Sequence, residues 1–213
     1  MIIDTMTMDE IQNEASKMYP IIYNRAIPYA KAFRKKIKNS LRGKLIVWKH
    51  HDEIMVNGNK VLIYYSSREG TLKDFSMIYF IQVNNSAGYK EYYQMKLGGF
   101  ITKFTKHFID RFIERTNCGK DFLPYLIKEL SPVSFLQYSK GSYSYQRTLN
   151  GLVVIANLNT YITYMNDLSQ YKSEIKDGLD IMCEDILKDI NLDSINRNIV
   201  RNMRKLKKIG EIV

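Results

Sequence analysis

Residues 104–115 read FTKHFIDRFIER, and within them His107, Arg111 and Arg115 recur every fourth position. On a helix that spacing stacks the three side chains along one face. Arg binds phosphate through two parallel N–H bonds and keeps its charge at every accessible pH. The imidazole of His titrates near neutrality and exchanges protons with a hydroxyl or a leaving oxygen. Cleavage of a phosphodiester through a 2′-hydroxyl needs those two services, proton transfer and stabilisation of a pentavalent phosphate, and it needs no metal. A second reading uses the same spacing. Asp110 and Glu114 interleave with the cations, and a solvated face of such pairs contributes about 0.2–0.5 kcal/mol per pair with no chemistry at all.

The elements that would position these groups follow from the apolar pattern. With Thr105 at the N-cap, Phe108, Ile109, Phe112 and Ile113 fall on one side of the helix, while His107, Asp110, Arg111, Glu114 and Arg115 fall on the other. A second helix is expected over 121–130, closed by Pro132. The stretch SYSYQRTLNGLVVIANLNTYITYM then predicts a three-stranded meander turning at Asn150-Gly151 and again near 157–159. Its last strand carries Thr160, Thr163 and Tyr164.

TKHFIDRFIER resembles the T-x-H-A-x-x-R-x-x-E-R helix of the RelE/BrnT-like ribonuclease toxin superfamily. Thr105, His107, Arg111, Glu114 and Arg115 match that pattern, and Phe108 stands where the family has a small Ala. In those proteins the helix is followed by a second helix and an antiparallel meander whose last strand carries a Ser, Thr or Tyr. The resemblance covers residues 102–166 and leaves the first hundred residues and the tail untouched. It implies a metal-independent endoribonuclease. His107 would be the general acid or base, Arg111 and Arg115 would hold the scissile phosphate, and Thr163 or Tyr164 would orient it. A protein antitoxin is the partner such a family implies.

Towards the N-terminus, TMDE (Thr7–Glu10) is a capping box that opens a helix over Met8–Met18. Pro20 and Pro28 punctuate the chain, and a second helix is expected over Ile27–Leu41. That second helix carries Arg34, Lys35, Lys36 and Lys38 with no acid among them. Two hairpins follow, around Asn57-Gly58 and around NNSAG, giving four antiparallel strands between residues 44 and 97; Gly98 and Gly99 end the block. The tail, 167–209, reads as helical and concentrates Arg201, Arg204, Lys205 and Lys208. Both basic clusters are candidate phosphate-binding surfaces. Sixteen tyrosines, among them Tyr89, Tyr92, Tyr93, Tyr143 and Tyr145 on strands, suit either strand propensity or base stacking.

Bulk properties bound the remainder. A chain of 213 residues with 45% hydrophobic content suits one domain, with 1–43 as a helical segment and 167–213 as a helical extension. The fold class expected is α+β: antiparallel hairpins and a meander flanked by helices at both ends. The first twenty residues contain Asp4, Asp9, Glu10 and Glu14 and lack a basic start followed by an apolar run, so no signal peptide is expected, and the apolar runs are too short to span a bilayer. A cytoplasmic protein with no membrane association is expected. Cys118 and Cys183 have no metal-ligand spacing, so neither metal nor cofactor is expected. A net charge of +10 favours a polyanionic partner, RNA above all, alongside an antitoxin or a second copy of the chain. The rival to an endoribonuclease is a non-enzymatic nucleic-acid-binding or structural accessory protein of phage or plasmid origin.

Overall fold

The computed structural model describes residues 1–37, 46–49, 53–67, 75–130, 137–148, 150–157 and 159–166. The expected tail helices, with Arg201, Arg204, Lys205 and Lys208, lie outside these residues, as do Lys38 and the side chains of Lys35 and Lys36. The chain divides into two compact units, Met1–Lys106 and His107–Val213. Both are built of antiparallel strands with helices, so the class is α+β.

In the first unit the capping box forms. The Thr7 N–H donates to Glu10 Oε2 at 2.7 Å and the Glu10 N–H to Thr7 Oγ1 at 3.3 Å. Helix α1 then runs without interruption over Met8–Ile37. The sequence reading broke it at Pro20. Proline in a helix interior costs about 3 kcal/mol, because it deletes one backbone bond and crowds the preceding turn. The inward stripe explains why the helix persists. Ile11, Ala15, Met18, Ile22, Ala26, Ala30 and Phe33 recur at steps of three and four and are all buried. Each large apolar side chain among them contributes about 1.5–3 kcal/mol of burial, so four of them match or exceed the cost of two prolines.

That stripe packs on a sheet of strands β1 (Ile46–Lys49), β2 (Ile54–Val56), β3 (Asn59–Ser67), β4 (Phe75–Asn84), β5 (Lys90–Met95) and β6 (Ile101–Phe104). The order is β1-β3-β4-β5-β6, with β2 also pairing with β3. The core joins α1 to Val61, Ile63, Tyr65, Tyr79, Ile81, Val83, Tyr93 and Met95, alternate residues of β3, β4 and β5. The Asn57-Gly58 turn is as expected, with φ of 48° and 76° at its two central residues, the pair of positive values a type I′ hairpin requires. Gly98 and Gly99 do not end the sheet. They turn the chain into β6, the Lys96 N–H donating to the Phe100 carbonyl at 2.7 Å.

The second unit contains α2 (Lys106–Thr116), α3 (Leu123–Leu130) and strands β7 (Gln137–Lys140), β8 (Tyr143–Arg147), β9 (Leu152–Ala156) and β10 (Thr160–Met165) in the order β10-β9-β8-β7. The expected three-strand meander gains β7 as a fourth. The turn at Asn150-Gly151 joins β8 to β9, the Thr148 N–H donating to the Gly151 carbonyl at 2.9 Å.

Candidate functional site

Helix α2 buries Phe108, Ile109 and Phe112 and is followed by Asn117, whose φ of 51° is the left-handed stop common after a helix. Its inner rings meet two tyrosines of β10. Phe108 packs edge-on against Tyr161 at 5.5 Å and Phe112 against Tyr164 at 5.0 Å. Residues three apart in a regular strand point to opposite faces. A bulge between Tyr161 and Thr163 inserts one extra residue, so both rings reach α2.

The bulge also fixes the two candidate hydroxyls. Tyr164 is buried and its hydroxyl donates to Glu129 Oε1 at 3.0 Å. Thr163 pairs in register with Val154, which pairs with Tyr145, on the sheet face away from α2. Arg115 does reach β10, donating from Nη1 to the Tyr164 carbonyl, and the Asn166 side-chain amide donates to the Arg115 carbonyl at 3.3 Å. Arg115 therefore meets the backbone of Tyr164, while the phenol is turned inward. Arg111 and Glu114 form an ion pair at 2.8 Å on the outer face, and both are well exposed. His107 is exposed on the same helix, one turn before Arg111.

Sequence reasoning passed over Glu129. This carboxylate is only 5% exposed and lies in the last turn of α3. It accepts from the Tyr164 hydroxyl, the Thr148 hydroxyl at 2.7 Å, the Asn150 N–H at 2.5 Å and the Asn150 side-chain amide at 2.8 Å. All four donors are neutral. Together they tie α3, the β8–β9 turn and β10 into one polar knot. Its signal in the sequence was faint: Glu129 lies three residues beyond Leu126, on the edge of the apolar stripe of α3.

In the first unit the charged surface has another character. Between Glu14 and Asp52 the chain carries ten Lys and Arg and no acid, so this segment alone matches the net charge of +10. Of these, Lys17, Arg25, Lys31 and Arg34 are described on α1 and exposed. Arg25 donates from Nη1 to the Met55 carbonyl at 2.8 Å, which holds it against the β2–β3 hairpin. Of the tyrosines weighed for stacking, Tyr93 is buried, with its hydroxyl 2.5 Å from Glu91 Oε2, and burial raises its pKa well above the usual phenol value. Tyr143 is exposed on β8.

Among the described residues there is no group of three or more His, Cys, Asp or Glu side chains placed to hold a metal, and no helix long and apolar enough to cross a membrane. No family model, curated protein or solved structure matches this chain.

Proposed function

We propose that this protein binds RNA through its phosphates, with α1 as the principal contact. The observation that carries this reading is the acid-free basic segment whose cations Lys31 and Arg34 project from α1, beyond Lys17, which Glu14 meets at 3.7 Å. A polyanion gains from such a surface by releasing its condensed counterions, without sequence preference. The non-enzymatic form of the reading fits the second unit. There the Tyr164 hydroxyl is committed to Glu129 and Arg111 to Glu114, which leaves neither group aimed at a scissile phosphate.

A metal-independent endoribonuclease of the RelE/BrnT-like kind is the second reading. It is favoured by His107 and Arg111 standing on consecutive turns of one exposed helix face, where an imidazole and a guanidinium meet the same phosphate. In it His107 exchanges the proton and Arg111 and Arg115 hold the phosphate, while Thr163, on the far sheet face, and Tyr164, bonded to Glu129, take no part.

One experiment separates the two. The full-length protein is incubated with mixed RNA in EDTA, and the incubation is repeated with His107→Ala. Salt-sensitive binding without cleavage, unchanged by the substitution, is the expected result. Cleavage that is lost in His107→Ala establishes the second reading. Absence of any RNA binding overturns both.

A further inference from the structure

We infer that one flank of α1, together with the β5–β6 turn, is a stacking track for unpaired bases, so the preferred ligand is single-stranded rather than duplex RNA. This rests on the RNA-binding reading above and sharpens its substrate class.

Ser16, Tyr23, Ile27 and Arg34 follow one another at steps of seven, four and seven residues and so form a single stripe along α1, about 27 Å long at 1.5 Å per residue. The stripe begins where the β5–β6 turn is seated. The Gln12 side chain donates to the Gly99 carbonyl at 2.8 Å and accepts from the Ile101 N–H at 3.0 Å. Gly99 has a φ of 86°, and a Cβ there would lie 2.7 Å from the Ser16 Cα, so only glycine allows the turn to sit this close. The consequence is that Leu97 and Phe100 are held outward on a fixed support, 81% and 66% exposed.

Further along the stripe, Tyr23 is 38% exposed, and its ring lies 6.0 Å from that of Tyr19 at an interplanar angle of 29°. Tyr19 is in turn braced edge-on by Tyr79 of β4. Tyr23 is therefore an exposed ring whose orientation is set by its neighbours, Phe100 is an exposed ring on a held backbone, and a base stacks on such a pair with little further ordering of the chain. Lys31 and Arg34 follow at the far end, where the strand's phosphates would find cations. Charge complementarity selects the occupant, because Lys31 and Arg34 lie in the acid-free segment. A duplex hides its base faces and would use the cations alone.

The test uses the full-length protein and a fluorescein-labelled 20-nucleotide RNA, single-stranded or annealed to its complement, read by anisotropy at fixed salt. The expected result is tighter binding of the single strand. Tyr23→Ala with Phe100→Ala should weaken it by about 30-fold or more while leaving duplex affinity unchanged. Tyr23→Phe with Phe100→Tyr should retain it. Both positions are exposed, so an unaltered thermal midpoint checks that the double variant remains folded. Equal losses on single strand and duplex, or no loss on either, overturn the stacking track and leave phosphate binding intact. Loss of binding to anionic lipid vesicles, with RNA affinity unchanged, overturns it in favour of a membrane surface. No binding to either RNA overturns this inference and the RNA-binding reading together.

Discussion

Helices α1 and α2 are both amphipathic, and both bury aromatic side chains, yet their outer faces differ in kind. On α2 acids and bases interleave, and Arg111 is neutralised by Glu114 one turn on. On α1 the acids stop at Glu14 and the cations continue. The comparison teaches that a motif's residue types are a poorer guide to a surface than what stands between them. His107 and its arginines attract notice because they are chemically versatile. Lys17 is met by Glu14 at 3.7 Å, and beyond it Arg25, Lys31 and Arg34 make the stronger field because no carboxylate lies among them.

The inner faces should behave alike and the outer faces should not. Phe33→Ala in α1 and Phe112→Ala in α2 each remove a fully buried ring, and each should cost about 3–5 kcal/mol in chemical denaturation. A much smaller cost at either site would mean that the helix is not packed as described. Glu129→Ala comes next. It strands the Tyr164 and Thr148 hydroxyls and the Asn150 amides inside the second unit, with an expected loss of about 3 kcal/mol from donors left without an acceptor. Glu129→Gln should cost less, since an amide oxygen still accepts although its nitrogen opposes one donor.

The outer faces give smaller effects. Glu114→Ala should change stability by no more than about 0.5 kcal/mol, as expected for an exposed ion pair, while RNA affinity rises slightly as Arg111 loses its carboxylate. The capping box adds a pH signature. The Thr7 N–H and hydroxyl hold the Glu10 carboxyl below its usual value of 4.5. A depressed carboxylate stabilises the fold above its unfolded-state value, and that contribution is lost as pH falls through the folded-state value. The protection of the Thr7 amide, which donates to that carboxylate, should therefore fall as pH drops below 4.5, whereas in Glu10→Gln it should not change with pH.

Local signals in the sequence carried well where one interaction decided the outcome. The capping box, the Asn57-Gly58 turn and the Asn150-Gly151 turn are each short-range, and each appears at the residues that specify it. What was illegible depended on partners far along the chain. Pro20 looked like a boundary because its cost is local, whereas the burial that overrides it comes from β3, β4 and β5. Gly98 and Gly99 looked like a terminus because their tight fit against Ser16 cannot be seen without the helix beside them. For the candidate site, the two faces of α2 were readable from periodicity alone. The bulge that turns the Tyr164 phenol inward, and the buried Glu129 that receives it, were not, since neither has a period or a motif.

The measurement that bears most directly on the difference between the two helices is the salt dependence of RNA affinity. A single-stranded RNA is titrated at several salt concentrations with the parent protein, with Lys17→Gln/Lys31→Gln/Arg34→Gln and with Arg111→Gln. Each lost phosphate contact flattens the slope of log affinity against log salt by about 0.7. The triple variant should therefore flatten it by roughly 2, with Arg111→Gln nearly parallel to the parent. A slope unchanged in the triple variant but flattened by Arg111→Gln would contradict the assignment of α1 as the phosphate-binding surface.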